Sequence, residues 1–379
     1  KWTKLRVSDR FYAEGAGVGD FNRDGKPDVV AGPFWIEGPA FEKLHPYAEV
    51  KEFDPLKYSE NFLAHSWDFN KDGWADVAII GFPGADASWY ENPRGGEGAW
   101  ARRLLLDKVD NESAAFLDVT GDEAPELVCA TGNRLGYFTI GDGKFHAISP
   151  ANAAYKKFSH GLGIGDVNGD GRKDILEKSG WWEQPKATAG DPLWTLHSAS
   201  FGKGGAQMVA TDVNGDGLND VITVIEAHGY GLSWFEQKPD GGFQERVIVG
   251  RTEAENRYGV MFTQMHALAL ADMDRDGLPD IVTGKRYWAH GPSGDVGAGD
   301  AAVLYWFKLM RRPEGVEFVP FLIDGDSGVG TQISTADLDG DGYPDVIAAS
   351  KKGIFIHRGQ AVKVSPADYE KSLPPPLAR

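Results

Sequence analysis

The stretch Asp20-Phe21-Asn22-Arg23-Asp24-Gly25-Lys26-Pro27-Asp28 decides how the rest of the chain is read. It places oxygen-bearing side chains at the first, third, fifth and ninth positions around a glycine. The same pattern returns at Asp68–Asp76 (DFNKDGWAD), Asp118–Glu126 (DVTGDEAPE), Asp166–Asp174 (DVNGDGRKD), Asp212–Asp220 (DVNGDGLND), Asp272–Asp280 (DMDRDGLPD) and Asp337–Asp345 (DLDGDGYPD). Successive first aspartates lie 48, 50, 48, 46, 60 and 65 residues apart. A period of that size marks a repeat architecture, either a solenoid or a propeller.

The flanks choose between the two. A small apolar stretch precedes each loop, as in Gly17-Val18-Gly19, Gly163-Ile164-Gly165 and Ala267 to Ala271. A β-branched run follows it (Val29-Val30, Val221 to Val224, Val346-Ile347), then an aromatic strand (Phe34-Trp35, Trp181-Trp182, Trp234-Phe235, Tyr305-Trp306), then a fourth strand. Four short strands per unit is the content of a propeller blade. The seventh unit stops after its third strand, and the missing fourth is present at the N-terminus as Trp2 to Val7. Closing a ring in this way removes the exposed edges that an open sheet presents. The expectation is an all-β fold: a seven-bladed β-propeller of four-stranded blades over residues 1–358, closed by the N-terminal strand and carrying calcium-binding loops. A Pro-rich tail or linker occupies residues 359–379.

Composition agrees. Apolar residues make up 41% of the 379 and charged residues 25%, as in a core-forming chain, and 49 glycines with 21 prolines suit many tight turns. No apolar run is long enough to span a membrane. A net charge of −17 argues against nucleic acid as a partner. Cys129 is the single cysteine, which excludes an internal disulfide, and its neighbours Leu127, Val128 and Ala130 give it the setting of a small core residue. No nucleophile elbow or Walker loop occurs. The chain begins at Lys1 without an apolar leader, so it either follows a removed export signal or starts at an arbitrary boundary. A secreted or periplasmic, calcium-rich setting fits the acidic loops.

Alternating carboxylates and carboxamides around a glycine put several hard oxygens on one cation, which is the logic of a calcium loop. The expected structural Ca²⁺ ligands are Asp20, Asn22, Asp24 and Asp28; Asp68, Asn70, Asp72 and Asp76; Asp166, Asn168, Asp170 and Asp174; Asp212, Asn214, Asp216 and Asp220; Asp272, Asp274, Asp276 and Asp280; and Asp337, Asp339, Asp341 and Asp345. These make about six sites. The third loop has Thr120 at its third position and Glu123 where the glycine belongs, and is expected to bind weakly or not at all.

Six residues before each first aspartate stand Glu14, Phe62, Glu112, His160, Ala206, His266 and Thr331, with Gln207 and Gln332 one step further on. These positions begin the innermost strands and converge on the pore mouth away from the acidic loops. Glu14, Glu112, His160 and His266 there make a set that could hold Zn²⁺ or another divalent ion, or supply a general base. The sixth unit adds a long segment, Lys285-Arg286-Tyr287-Trp288-Ala289-His290, followed by a Gly/Asp-rich run; the fifth adds His228 and the fourth Lys178. On this reading His160, His266, Tyr287, Lys285, Arg286 and His228 are the catalytic candidates, and His290, Gln207, Gln332 and Lys178 the substrate-binding ones.

The repeats resemble FG-GAP/VCBS repeats, the calcium-loop blades of integrin α-subunit propellers and of many exported bacterial proteins. The resemblance implies that the loops face away from the ligand side. The Lys285–His290 segment, with Asp324-Gly325-Asp326-Ser327-Gly328-Val329-Gly330-Thr331-Gln332, resembles the propeller domain of aldos-2-ulose dehydratase (1,5-anhydro-fructose dehydratase). Propeller polysaccharide lyases with a His/Tyr/Arg site are similar. That likeness implies a carbohydrate-active lyase or dehydratase performing metal-assisted β-elimination on a keto-sugar or a uronic-acid-containing sugar. The chain lacks the dehydratase's second domain, so an appended domain or partner chain would complete it. The competing reading is a non-catalytic carbohydrate- or protein-binding propeller, like the integrin head.

Overall fold

The structure is a computed structural model that describes residues 1–377. Each acidic loop lies between the first and second strands of an antiparallel set. The first set is Ala16–Gly19, Asp28–Ala31, Phe34–Ile36 and Leu44–Pro46, and the second is Leu63–Trp67, Asp76–Ile80, Ala87–Glu91 and Ala101–Leu106. The third runs from Ala115–Leu117 to Lys144–Ala147, and the sixth from Leu268–Ala271 to Gly315–Asp324. In the last set, Ile333–Ala336, Asp345–Ser350 and Gly353–Gly359 take Trp2–Ser8 as their fourth strand, with Lys4 opposite His357. The N-terminal strand therefore closes the ring, as its sequence predicts.

The number of separate blades differs from expectation. Five four-stranded sheets stand alone, not seven, because the fourth and fifth sets are joined into one eight-stranded sheet. Their first strands, Leu162–Gly165 and Gln207–Thr211, pair in parallel. Glycine makes this possible: a Cβ on Gly163 would stand 1.9 Å from the Met208 carbonyl oxygen, and one on Gly165 2.6 Å from the Ala210 Cβ. Without side chains at these positions the two backbones close to hydrogen-bonding distance.

The core lies between sheets. Second strands such as Asp28–Ala31, Asp76–Ile80 and Asp220–Val224 are buried along their whole length, as strands covered on both faces must be. The third-strand aromatics fill the gaps between neighbours: Trp182 and Trp234 are buried, and Trp181 stacks on His197 with ring centroids 4.1 Å apart. Cys129 is completely buried, and burial pushes its thiol well above the ordinary range, so it is a core residue.

The ninth-position carboxylate of each loop is a structural tie. Asp174 Oδ2 accepts the Val167 N–H at 2.9 Å and Oδ1 the Gln184 N–H at 2.9 Å, linking loop to third strand. Asp28, Asp76, Asp220, Asp280 and Asp345 repeat the arrangement, and all six are fully buried. The tail carries a short helix, Pro366–Ser372, and returns to the fifth-to-sixth connection, where Leu377 N–H donates to Arg257 O at 2.7 Å. Among the described residues, no helix is long and apolar enough to cross a membrane.

Candidate functional site

Because each first strand runs from the pore mouth toward its acidic loop, the residues that begin these strands gather at one end. Three histidines meet there. His160 precedes Leu162–Gly165, His266 precedes Leu268–Ala271, and His228 comes from the loop after Asp220–Val224. Their ring centroids are 5.6 Å (His160–His266), 5.2 Å (His160–His228) and 4.8 Å (His228–His266) apart. One ring nitrogen from each lies within 4.8 Å of the others. His266 Nε2 is a buried atom without a hydrogen-bond partner, whereas His160 Nε2 faces Glu112 Oε2 at 3.2 Å and His228 Nδ1 faces Asp295 Oδ1 at 3.5 Å. An orphaned buried nitrogen costs free energy that a ligand at that point would recover.

The imidazoles form a gradient from interior to solvent. His266 is 3% exposed, the His160 side chain 13%, that of His228 33%, and that of His290, whose ring is 4.5 Å from His228, 52%. Burial, helped by the positive charge of Arg286, pushes His266 well below the ordinary histidine range. Burial and then His160 push His228 down to about 4. Both are neutral near pH 7 and offer lone pairs, which is the form in which histidine ligates metals.

Beneath this cluster lies a buried charge network that corrects several expectations. Arg286 does not face a substrate. It is completely buried, its Nη2 paired with Glu14 Oε1 and its Nη1 3.4 Å from Glu112 Oε2. Its guanidinium also lies over the rings of Tyr58 and Phe62. Glu14 and Glu112 are thereby engaged with a cation already present, so the expected metal set of Glu14, Glu112, His160 and His266 is not assembled. Glu112 Oε2 also stands 3.2 Å from His160 Nε2. Burial raises the Glu112 carboxyl, but His160 and Arg286 outweigh it and hold the group well below the usual carboxylate range.

Lys285 is likewise internal: its ammonium donates to the carbonyls of Ala298 (3.3 Å) and Arg286 (3.4 Å), anchoring the long loop instead of reaching a ligand. Gln207 and Gln332 brace neighbouring first strands. Gln207 accepts from Leu268 N–H at 2.9 Å and donates to Thr331 O at 3.1 Å; Gln332 exchanges both its bonds with Ala64, at 2.8 and 3.0 Å. Neither amide is free for a substrate. Tyr287 turns to Lys352, whose ammonium is 4.4 Å from its ring. Lys178 borders a small hollow beside His160, with Tyr155 and Glu177.

One residue of the site was not among the candidates. Asp295 Oδ1 is 2.8 Å from His290 Nδ1 and 3.5 Å from His228 Nδ1, and its Oδ2 accepts the His290 N–H at 2.9 Å. Its signal was available in the sequence as the first of two carboxylates, with Asp300, in the Gly-rich run just after His290. Burial works to raise the Asp295 carboxyl, but His290 outweighs it and holds the group below its usual range.

At the opposite end of the strands the acidic loops fold alike. Asp20 accepts from the N–H of Asp24 and Gly25, and Asp24 accepts from Lys26 N–H, so the carboxylates are set by the backbone turn. Candidate donor oxygens of Asp272, Asp274 and Asp276, and of Asp337, Asp339 and Asp341, lie within 4.8 Å of one another. So do those of Asp118, Asp122 and Glu126 in the divergent third loop, where Glu123 takes φ +72° in place of the glycine.

Sequence comparison agrees with this repeated design. The description "FG-GAP-like repeat" matches residues 68–129, 118–177 and 212–283, and "FG-GAP repeat" matches 329–364. The chain carries FG-GAP repeats. The chain is 28% identical over 209 residues to mouse integrin alpha-IIb, covering 49% of this chain and 19% of that protein. The human protein is 29% identical over 176 residues, with 42% and 16% covered. The chain thus spans less than a fifth of the length of these relatives. Among solved structures, an Agrocybe aegerita lectin described as recognising non-reducing terminal N-acetylglucosamine superposes with a TM-score of 0.50 at 18% identity, covering 86% of this chain and 81% of the lectin. A Bacillus licheniformis rhamnogalacturonan lyase gives a TM-score of 0.43 at 16% identity, with 94% and 72% covered. At such identities the likeness to the lectin is one of fold.

Proposed function

We propose that this protein is an exported carbohydrate-active propeller whose histidine cluster is a divalent-cation site serving β-elimination on a keto-sugar or a uronic-acid-containing sugar. The observation that carries the reading is the convergence of three imidazoles, each offering a ring nitrogen within 4.8 Å of the others. Three nitrogen donors with further positions open is the donor set of a catalytic zinc-type centre. His160, His228 and His266 would hold the ion, and its chemistry there would be polarisation of a carbonyl or carboxylate oxygen.

The chain's own residues supply the rest. His290 is the imidazole open to solvent, and with Nδ1 held by Asp295 its Nε2 is free to take the proton α to the activated group. The electron pair left behind forms the new double bond as the β-oxygen departs, and the His290 imidazolium returns its proton to that oxygen. His160 and His266, which the sequence offered as bases, are turned toward each other and serve better as donors. The Glu14–Arg286–Glu112 network sets the floor on which these imidazoles rest.

The acidic loops at the other end we assign to structural calcium. Burial and the neighbouring carboxylates push Asp174 up to about 6, a destabilisation that a bound cation reverses. A second reading, a non-catalytic glycan- or protein-binding module, is favoured by the lectin's likeness of fold and by the integrin relatives.

The deciding assay follows ultraviolet absorbance during incubation with keto-sugars, 3-keto-glycosides and uronic-acid oligosaccharides, with and without Zn²⁺. A new enone or unsaturated-uronide chromophore that disappears in His290→Ala and His228→Ala is expected. A flat trace from folded, calcium-loaded protein moves the assignment to the binding module.

A further inference from the structure

We propose that Asp295 is a positioning residue that orients the imidazole of His228 so that its Nε2 completes a cation site with His160 and His266. The inference rests on the reading of the three histidines as a cation site and gives Asp295 a second role, toward His228, beside its hold on His290.

Asp295 is built into its place. Its loop is closed at its ends by Lys285 N–H to Val303 O (2.8 Å) and held next to Asp295 by Thr263 Oγ1 to Val296 O (2.9 Å). Between them, the Gln264 amide oxygen accepts the Ala289 N–H at 2.9 Å. Gly294 is required beside it, since a Cβ there would stand 2.1 Å from the His290 carbonyl oxygen. These ties leave the carboxylate only 5% exposed and aimed at two imidazoles. His228 itself sits on a short turn held by Ala227 N–H to Gly204 O at 3.0 Å. With the carboxylate on the Nδ1 side, the proton of a neutral His228 is favoured at Nδ1 and the lone pair at Nε2. A carboxylate behind a ligating histidine fixes both tautomer and ring orientation, and its loss typically weakens metal binding roughly 10–100-fold. His290 has the shorter contact, so the carboxylate divides between a rim imidazole and a ligand imidazole.

The test is Co²⁺ titration of the metal-free, full-length chain, followed by visible d–d bands and by calorimetry, with calcium present throughout to fill the acidic loops. The wild type is expected to give the spectrum of a low-coordinate, nitrogen-rich site. Asp295→Ala is expected to weaken binding roughly 10–100-fold and to change the band shape. Asp295→Asn, which keeps an oxygen in place, recovers part of the loss. His290→Ala, which leaves Asp295 to His228 alone, binds as the wild type does. If Asp295→Ala does not fold, Asp295→Asn decides the matter by the same titration. A wild type with no Co²⁺ site overturns the cation reading and this inference with it. A wild-type site that is unmoved in affinity and spectrum by Asp295→Ala and Asp295→Asn overturns this inference alone.

Discussion

The two ends of the ring are built on opposite plans. On the loop end every carboxylate of a site comes from nine consecutive residues, and one backbone turn sets them all. On the histidine end the participants are Glu14, Glu112, His160, His228, His266, Arg286 and Asp295, drawn from five of the seven repeats. The first kind of site needs only a local turn, so its copies survive wherever the pattern is spelled. The second exists only when the whole ring has closed, and its groups depend on one another's charge.

That contrast predicts where a single substitution does most damage. Arg286 pairs with two buried carboxylates that lie 98 positions apart in the sequence. Arg286→Met leaves both without their cation, and breaking a buried pair in this way costs about 3–5 kcal/mol. Chemical denaturation should show the loss in full, and the triple variant Glu14→Gln, Glu112→Gln, Arg286→Met should recover much of it. A single variant as stable as the wild type would break the claim that this end is held by mutual charge.

The reading of the sequence divides along the same line. The repeat period, the four-strand content and the borrowed N-terminal strand are all local patterns or simple counts, and each was legible. The merging of the fourth and fifth sets was not, because it turns on how closely Gly163 and Gly165 let two backbones approach. At the histidine end the types were legible but the roles were not. Residues six before each loop were correctly brought to one mouth, yet Arg286 and Lys285 were read as facing a ligand when they are internal counter-ions and anchors. Two carboxylates on tightly packed inner strands imply a buried cation, and the sequence contained that hint. Gln207 and Gln332 were misread for a related reason: an amide on an inner strand finds the neighbouring strand's backbone before it finds solvent.

The closing seam is also assembled across the chain, and acid should find it. His357 is fully buried opposite Lys4, with both ring nitrogens unpartnered. Burial lowers it to about 4, with Asp324 opposing and Lys4 assisting. The unfolded chain, with a histidine near 6.5, binds the proton that the fold refuses between those values. Stability therefore falls as pH drops from about 6.5 toward 4, by up to about 1.4 kcal/mol per pH unit. Asp324, which burial raises but Lys4 at 2.8 Å and the backbone more than offset, is held at about 2. Its contribution is present above the ordinary aspartate value near 3.8 and is lost as pH falls through that value toward 2. His357→Phe should reduce the slope of the upper part of the pH–stability curve, where His228 and His266 also act, and leave the lower part. A curve unchanged between pH 4 and 6.5 in that variant would remove His357 from the account.

The smallest effect sharpens the comparison within the loop end itself. The sixth and seventh loops are near-copies, but the sixth has Lys308, a largely buried ammonium from the third strand, set against Asp274 and Asp276. Among the described residues, Asp337, Asp339 and Asp341 of the seventh have no ion pair. An ammonium at that point supplies one charge where calcium would supply two, and it is present at all times. The sixth loop should then need calcium less than the seventh. Removing calcium with a chelator should lower the stability gained from the seventh loop, and Asp339→Asn should abolish that part of the response. Asp274→Asn should cost about 1 kcal/mol whether calcium is present or not, the value of a partly exposed pair. Lys308→Met should transfer calcium dependence to the sixth loop, because the carboxylates then have no cation but the one added. If Asp274→Asn and Asp339→Asn respond alike to calcium, Lys308 does not stand in for the ion, and the local plan of the loop end holds without exception.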